Sequence, residues 1–160
     1  MALQEKHKNR LRQWIRVTMV FIAVVLLFFA VAVPIINNAI ALSVEKDLKK
    51  LPLPENTELV ESISKAGKLI GNGNGMQYFG ALLIKSALSA QELDAYYQAY
   101  RTGEFDCLIE PQLSNDIRAV EHGDLAFRHT EYGIGYYIVY TWGSAPDWLQ
   151  VWLDTDLRGH

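Results

Sequence analysis

Three glycines and two asparagines fill positions 71–75 in the stretch IGNGNGMQY (70–78). Backbone N–H groups in such a loop can cradle a phosphate, but only where the loop joins a strand to a helix whose N-terminus receives the anion. The following residues, MQYFGALLIKS, read instead as a strand. The third glycine falls one position early for a dinucleotide fingerprint, and no Lys-Ser/Thr pair follows it as in a P-loop. Glycine and asparagine tolerate positive φ, so the stretch is expected to form a hairpin tip. It is longer than reversal of the chain requires, which leaves Asn72 and Asn74 as candidates for a contact loop.

The other reactive groups gather into no recognisable centre. Glu121, His122, Asp124, His129 and Glu131 surround one expected turn, and the two histidines could meet across a hairpin, but the spacing matches no zinc signature. DTDLRG has Asp154, Asp156 and Gly159 where a calcium loop wants them, yet Arg158 puts a cation in place of an oxygen ligand and no bidentate Glu follows. The lone Cys107 lies in the apolar run FDCLI, where a buried structural thiol is expected. It permits no intrachain disulfide, although a thiol outside the cytosol could pair between chains. With neither a nucleophile elbow nor an HExxH segment, no catalytic residue, metal ligand or cofactor site is assigned.

Aromatic residues are concentrated in GIGYYIVYTWGSAPDWLQVWLD. If 143–147 is the loop of an antiparallel hairpin, Trp142 faces Trp148. Alternation then puts Tyr136, Ile138, Tyr140, Trp142, Trp148 and Trp152 on one face, and Tyr137, Val139, Leu149, Val151 and Leu153 on the other. Both faces are apolar. One must cover the core; the other meets the helix, a second layer, a partner or a ligand. Tyr136, Tyr140, Trp142, Trp148 and Trp152 are therefore the candidate contact residues, for sugar rings or another membrane or envelope protein.

The elements that must position these residues start with an anchor. VTMVFIAVVLLFFAVAVPII (17–36) runs for 20 residues without a charge. As a helix rising ~1.5 Å per residue it matches the ~30 Å hydrocarbon core of a bilayer. Five cations (Lys6, Lys8, Arg10, Arg12, Arg16) precede it against Glu5 alone, and Trp14 marks the boundary. By the positive-inside rule residues 1–16 are cytoplasmic and the C-terminal part lies outside the cytosol, at the plasma membrane. Ala39-Ile40-Ala41 fits a signal-peptidase site, but the apolar run exceeds the ~7–15 residues of a signal core, so an uncleaved anchor is expected. Beyond Ala41 the chain has 10 Lys/Arg against 17 Asp/Glu, a balance that argues against nucleic acid as a partner.

Residues 37–56, with Pro52 and Pro54 two apart, read as a stiff juxtamembrane stalk, or as an edge segment packed through Leu51 and Leu53. The domain over 57–160 follows. Strands are expected at Thr57 to Leu69 and Met76 to Ser86, and the Ser89/Glu92 capping box opens a helix over 90–102 that ends before Gly103. Further strands are expected at 105–110, 117–121, 125–130, 134–142 and 149–153. The sum is an α+β domain, β-β-α followed by a mainly antiparallel meander, with one helix packed on one face through Leu93, Tyr96, Tyr97 and Tyr100.

LPLPENTELVESISKAGKLIGNGNGMQYFGALLIKS followed by LSAQELDAYY (51–97) resembles a group of uncharacterised small single-pass membrane proteins of Gram-positive, Firmicutes-type bacteria. The resemblance implies a bacterial plasma-membrane setting and carries no activity. The expected function is that of a membrane-anchored extracytoplasmic binding or accessory module. A membrane-anchored hydrolase with an unrecognised carboxylate/His pair, or a structural subunit of a larger membrane complex, are the alternatives.

Overall fold

The computed structural model describes residues 2–73, 75–102 and 105–156, with side chains from His7 onward. Asn74, Gly103, Arg158 and Gly159, all invoked above, lie outside the described residues. The chain is α+β: a long apolar N-terminal helix, α1 (Ala2–Lys49), leads into a four-stranded antiparallel sheet.

Helix α1 does not give way to a stalk after Ile36. It continues for 48 residues in all, through Pro34, to Lys49. The reason is an apolar stripe at helical spacing, Val33, Ile40, Ala41, Val44 and Leu48, interrupted by the buried polar residues Asn37 and Glu45. Burial of that stripe on the sheet supplies what local propensity does not. The helix ends where Pro52 forbids its continuation, with Leu51 N bonded to Leu48 O at 3.2 Å. Only 50–56 remains as a connection; Leu51 packs into the domain, as the edge-segment alternative required, while Leu53 stays exposed.

The sheet consists of β1 (Thr57–Gly67), β2 (Gln77–Ser86), β3 (Leu108–Pro111) and β4 (Tyr136–Gly143), in the order β1-β2-β4-β3. β1 and β2 form the expected hairpin, with Gly67 opposite Gln77 and the glycine loop as its tip. The Gln77 side chain closes that tip, its Oε1 accepting from Leu69 N and Ile70 N at 2.7 and 2.9 Å. After β2 the helix α2 (Ala90–Gln98) opens on the full Ser89/Glu92 capping box. It carries the chain to edge strand β3, and the chain returns through 112–135 to insert β4 between β2 and β3.

Each face of the sheet is covered by a different layer. On one side Tyr78 meets α1 through Val33 and Ala41, and Leu82, Ile84 and Val139 meet α1 and α2 through Leu48, Leu93 and Tyr97. On the other, Phe79, Ala81, Leu83, Ile138 and Tyr140 meet Leu69, Ile117 and Phe127. This second layer is irregular, whereas strands were expected at 117–121 and 125–130. A single bridge, Asp116 to Ala126, is all the pairing these segments make. Gly123 and Asp124, both at positive φ, turn the chain, and Glu121 N and His122 N bond Leu69 O instead of a strand partner.

The last expected strand is also absent. Residues 147–153 form α3 (Asp147–Leu153), with Pro146 at the N-cap position, so the second half of the aromatic hairpin does not exist. A run in which nearly every residue is apolar satisfies either period. What decides is that Leu149 and Leu153, four apart, both pack against Tyr78, Met76 and α1.

Candidate functional site

The most organised polar cluster of the molecule locks the long helix to the domain. Asn37, fully buried on α1, donates from Nδ2 to Asp156 Oδ2 at 2.9 Å and to Leu153 O at 3.2 Å. Its Oδ1 accepts from the Tyr78 hydroxyl at 2.8 Å. One amide thus joins α1, β2 and the end of α3 with both ends of its side chain used. Burial, reinforced by Asp154 and Asp156 nearby, pushes the Tyr78 phenol up to about 12, so it stays a donor. Asp154 serves the same seam from the other side, accepting from Met76 N at 2.7 Å and from Gln150 Nε2 at 2.8 Å. The two aspartates that suggested a calcium loop are therefore committed to holding α3 in place.

Two turns further along α1, the helix lies directly on the strand backbone. A Cβ at Gly80 would stand 2.7 Å from Glu45 N and 2.9 Å from its Cα, and one at Gly143 would run into the Val44 side chain. Glycine in a strand interior commonly marks such an approach. Beside it the buried Glu45 carboxylate accepts from Lys49 Nζ and Ser62 Oγ, each at 2.7 Å. Burial alone would raise its pKa; hydrogen bonds from Lys49, Ser62 and Ser64, with the Lys49 charge, more than offset this and hold it below the usual carboxylate value.

The aromatic candidates separate into two groups. Tyr136 and Tyr140 are buried under the irregular layer, and Trp142 is half-buried with its ring 4.9 Å from that of Phe79. The Tyr140 hydroxyl donates to Glu110 at 2.6 Å; burial and that carboxylate both raise its pKa. The expected alternation of β4 holds, but Ile117 and Phe127 cover this face. Trp148 and Trp152 sit on α3, which puts them on a different surface from Trp142, and they are 75% and 55% exposed. Trp152 stacks on Phe29 of α1, ring centroids 5.7 Å apart and nearly parallel at 17°.

The remaining reactive groups, His129 Nε2 apart, have structural partners. His122 Nε2 lies 3.0 Å from Gly71 O, and Glu121 accepts from Gly71 N at 2.9 Å, which fastens the hairpin tip to the irregular layer. Glu61, turned by a bulge in β1, accepts from Arg128 N and His129 N at 2.9 Å. The His129 ring packs on Tyr132 and Tyr136. No group of three or more metal-ligating side chains occurs among the described residues. Cys107 is fully buried beside α2, and burial raises its thiol pKa. An interchain disulfide through it would require the domain to open.

At the opposite end of the sheet from Asn37 lies a broad, shallow cleft between Asn56, Lys85, Ser86, Ser89, Ile134 and Tyr137. Its hydroxyls are largely occupied, Thr57 Oγ1 with Ser86 Oγ at 2.6 Å and Ser89 with Glu92 at 2.7 Å. Ile134 projects fully into solvent between two glycines at positive φ.

Sequence reasoning missed Asn37, Tyr78 and Asp156 as a unit, and Gly80 and Gly143 as points of close approach. Two signals were available: the stripe from Val33 to Leu48 at helical period, and a glycine in the middle of a strand pattern. The chain matches no protein-family model, no curated protein and no solved structure.

Proposed function

We propose that this is a single-pass membrane protein with residues 1–16 in the cytoplasm and the α+β domain outside the cytosol, acting as a binding or accessory module. The observation that carries the reading is the continuity of α1. From Val17 to Ile36 the helix is uncharged, and most of its large apolar side chains, Phe21, Leu26, Leu27 and Phe28 among them, are more than half exposed. The helix is long and apolar enough to cross a membrane, and then enters the domain core without a break. An apolar surface of this extent needs a non-aqueous partner. Cleavage after Ala41 would remove Val33, Asn37 and Ala41 from the core and leave the Tyr78 hydroxyl and Asp156 without their shared amide. Retention of the helix is favoured for that reason.

Such a mount differs from a flexible tether. From Asn37 to Leu48 the helix rises ~17 Å, so the cleft beside Ser86 and Ile134 is held at a fixed height and orientation above the bilayer. That suits a module presenting one surface to a partner or glycan. A hydrolase would need His122 or His129 to converge with a carboxylate; His122 Nε2 is instead engaged by Gly71 O, and the buried His129 Nε2 makes no hydrogen bond to one. The test uses Ile134→Cys and Lys8→Cys with a membrane-impermeant maleimide on intact cells. The Ile134→Cys protein is expected to label directly and the Lys8→Cys protein only after permeabilisation; the reverse order, or release of the protein by alkaline carbonate, would overturn the reading.

A further inference from the structure

We propose that α3 is a second bilayer contact, its Trp148–Val151–Trp152 face lying in the interfacial region of the outer leaflet; this rests on the membrane-spanning reading of α1. The spacing 148, 151, 152 places the three side chains on one face of the helix, and all are open to solvent, at 75%, 75% and 55%. The opposite face, Leu149 and Leu153, packs in the core. An outward face of two tryptophans and a valine is unusual on a surface that meets water.

Position identifies the occupant. Trp152 stacks on Phe29, seven residues before Ile36, which is ~10 Å back along α1 from the end of the uncharged run. Thr155 and Asp156 at the end of α3 line a groove with Leu26, Phe29, Ala30 and Val33. The α3 face is thus continuous with the exposed apolar surface of α1, and with that face in the interfacial region the hydrocarbon of the outer leaflet ends near Phe29, ~10 Å short of Ile36. Tryptophan concentrates at that depth, because its ring is apolar and its N–H needs a polar neighbour. Of the carboxylates at this end, Asp154 accepts from Met76 N and Gln150 and Asp156 from Asn37, while Asp147 in the first turn of α3 is exposed and belongs at headgroup level. A lipid contact here, together with the locked Asn37 seam, fixes the rotation of the domain about α1 as well as its height.

The experiment uses the full chain, one copy per nanodisc of phosphatidylglycerol and phosphatidylcholine, with lipids brominated at shallow or deep acyl carbons as quenchers. Single-tryptophan forms retain Trp148 or Trp152 alone; two further forms place the only tryptophan at Phe21→Trp, inside the span, or at Ile134→Trp, at the far cleft. Emission from Trp148 and Trp152 is expected to be largely lost, more with shallow than with deep bromines, while the Ile134→Trp form keeps its emission. If the Phe21→Trp form is quenched and Trp148 and Trp152 are quenched no more than the Ile134→Trp form, the α3 contact is overturned and the anchor stands. If the Phe21→Trp form also escapes, both the anchor and the α3 contact fail. Quenching of Trp148 and Trp152 that appears only at several copies per disc, because a second chain draws them in, also overturns the proposal.

Discussion

The close approach of α1 to the sheet yields a prediction whose sign is opposite to that of ordinary strand chemistry. In an unobstructed strand Gly→Ala stabilises by roughly 0.5–1 kcal/mol, since alanine loses less backbone freedom on folding. At Gly80 the added methyl would stand 2.7 Å from Glu45 N, 2.9 Å from Glu45 Cα and 3.0 Å from Val44 C. All three are helix backbone atoms, which cannot turn aside as a side chain end can. Ordinary contact begins at 3.4 Å, so α1 must retreat by roughly 0.7 Å. That motion is opposed on one side by the Asn37 seam and on the other by buried Leu48. Overpacking of this kind costs about 1–3 kcal/mol. For a folded unit of this size each kcal/mol lowers Tm by roughly 2–4 °C. Gly80→Ala is therefore expected to melt roughly 2–12 °C lower than the parent in mild detergent. Near-ultraviolet circular dichroism is the appropriate signal, because α1 dominates the far ultraviolet. Gly73→Ala, with no atom within 4 Å of its methyl, is the control and should stay within about 0.5 kcal/mol of the parent. A Gly80→Ala protein as stable as the parent, or more so, would refute the packing of α1 on β2.

Asn37→Ala leaves the Tyr78 hydroxyl and the Asp156 carboxylate buried without their shared partner, and should cost about 2–5 kcal/mol in denaturant unfolding, against about 1–2 for Tyr78→Phe; equal small effects would show that the seam carries no energy. Glu45 has a folded pKa below its unfolded 4.5, so its contribution is complete above that value and lost as pH falls through the lowered one. Glu45→Gln should therefore be less stable than the parent at neutral pH, and the gap should close in acid-titration unfolding curves; parallel curves would contradict the assignment. Cys107, buried and with a raised pKa, should react with a thiol reagent only at the rate of domain opening, and fully once denaturant is added. A rapid native reaction, or a reductant-sensitive dimer in the folded state, would contradict its burial.

Local patterns made several elements legible. The capping box at Ser89 announced α2, the Gly/Asn stretch announced the β1–β2 tip, and alternation along Tyr136–Trp142 assigned the two faces of β4 correctly. Each depends on residues close in sequence, whose preferences survive tertiary context. Elements whose form depends on distant partners were misread. Residues 37–49 looked like a stalk because Asn37, Asn38 and the charges after Val44 broke the apolar run, and only the sheet shows that Asn37 faces Tyr78 and Asp156. The α3 segment is apolar at nearly every position, so periodicity could not distinguish helix from strand until Leu149 and Leu153 found their side of the core.

The sequence alone determined that an uncharged run long enough to cross a bilayer precedes an acidic α+β domain, because length, charge and hydropathy are properties of the chain itself. Only the tertiary structure decided that the helix carrying this run continues into the domain and packs on its sheet. That outcome rests on two glycines that let backbones touch and on one buried amide whose partners stand 41 and 119 residues away, and no local preference encodes a contact over such separations. The same packing turned the glycine loop into a fastened hairpin tip and moved Trp148 and Trp152 off the sheet onto α3, with Trp152 stacked on Phe29 of α1.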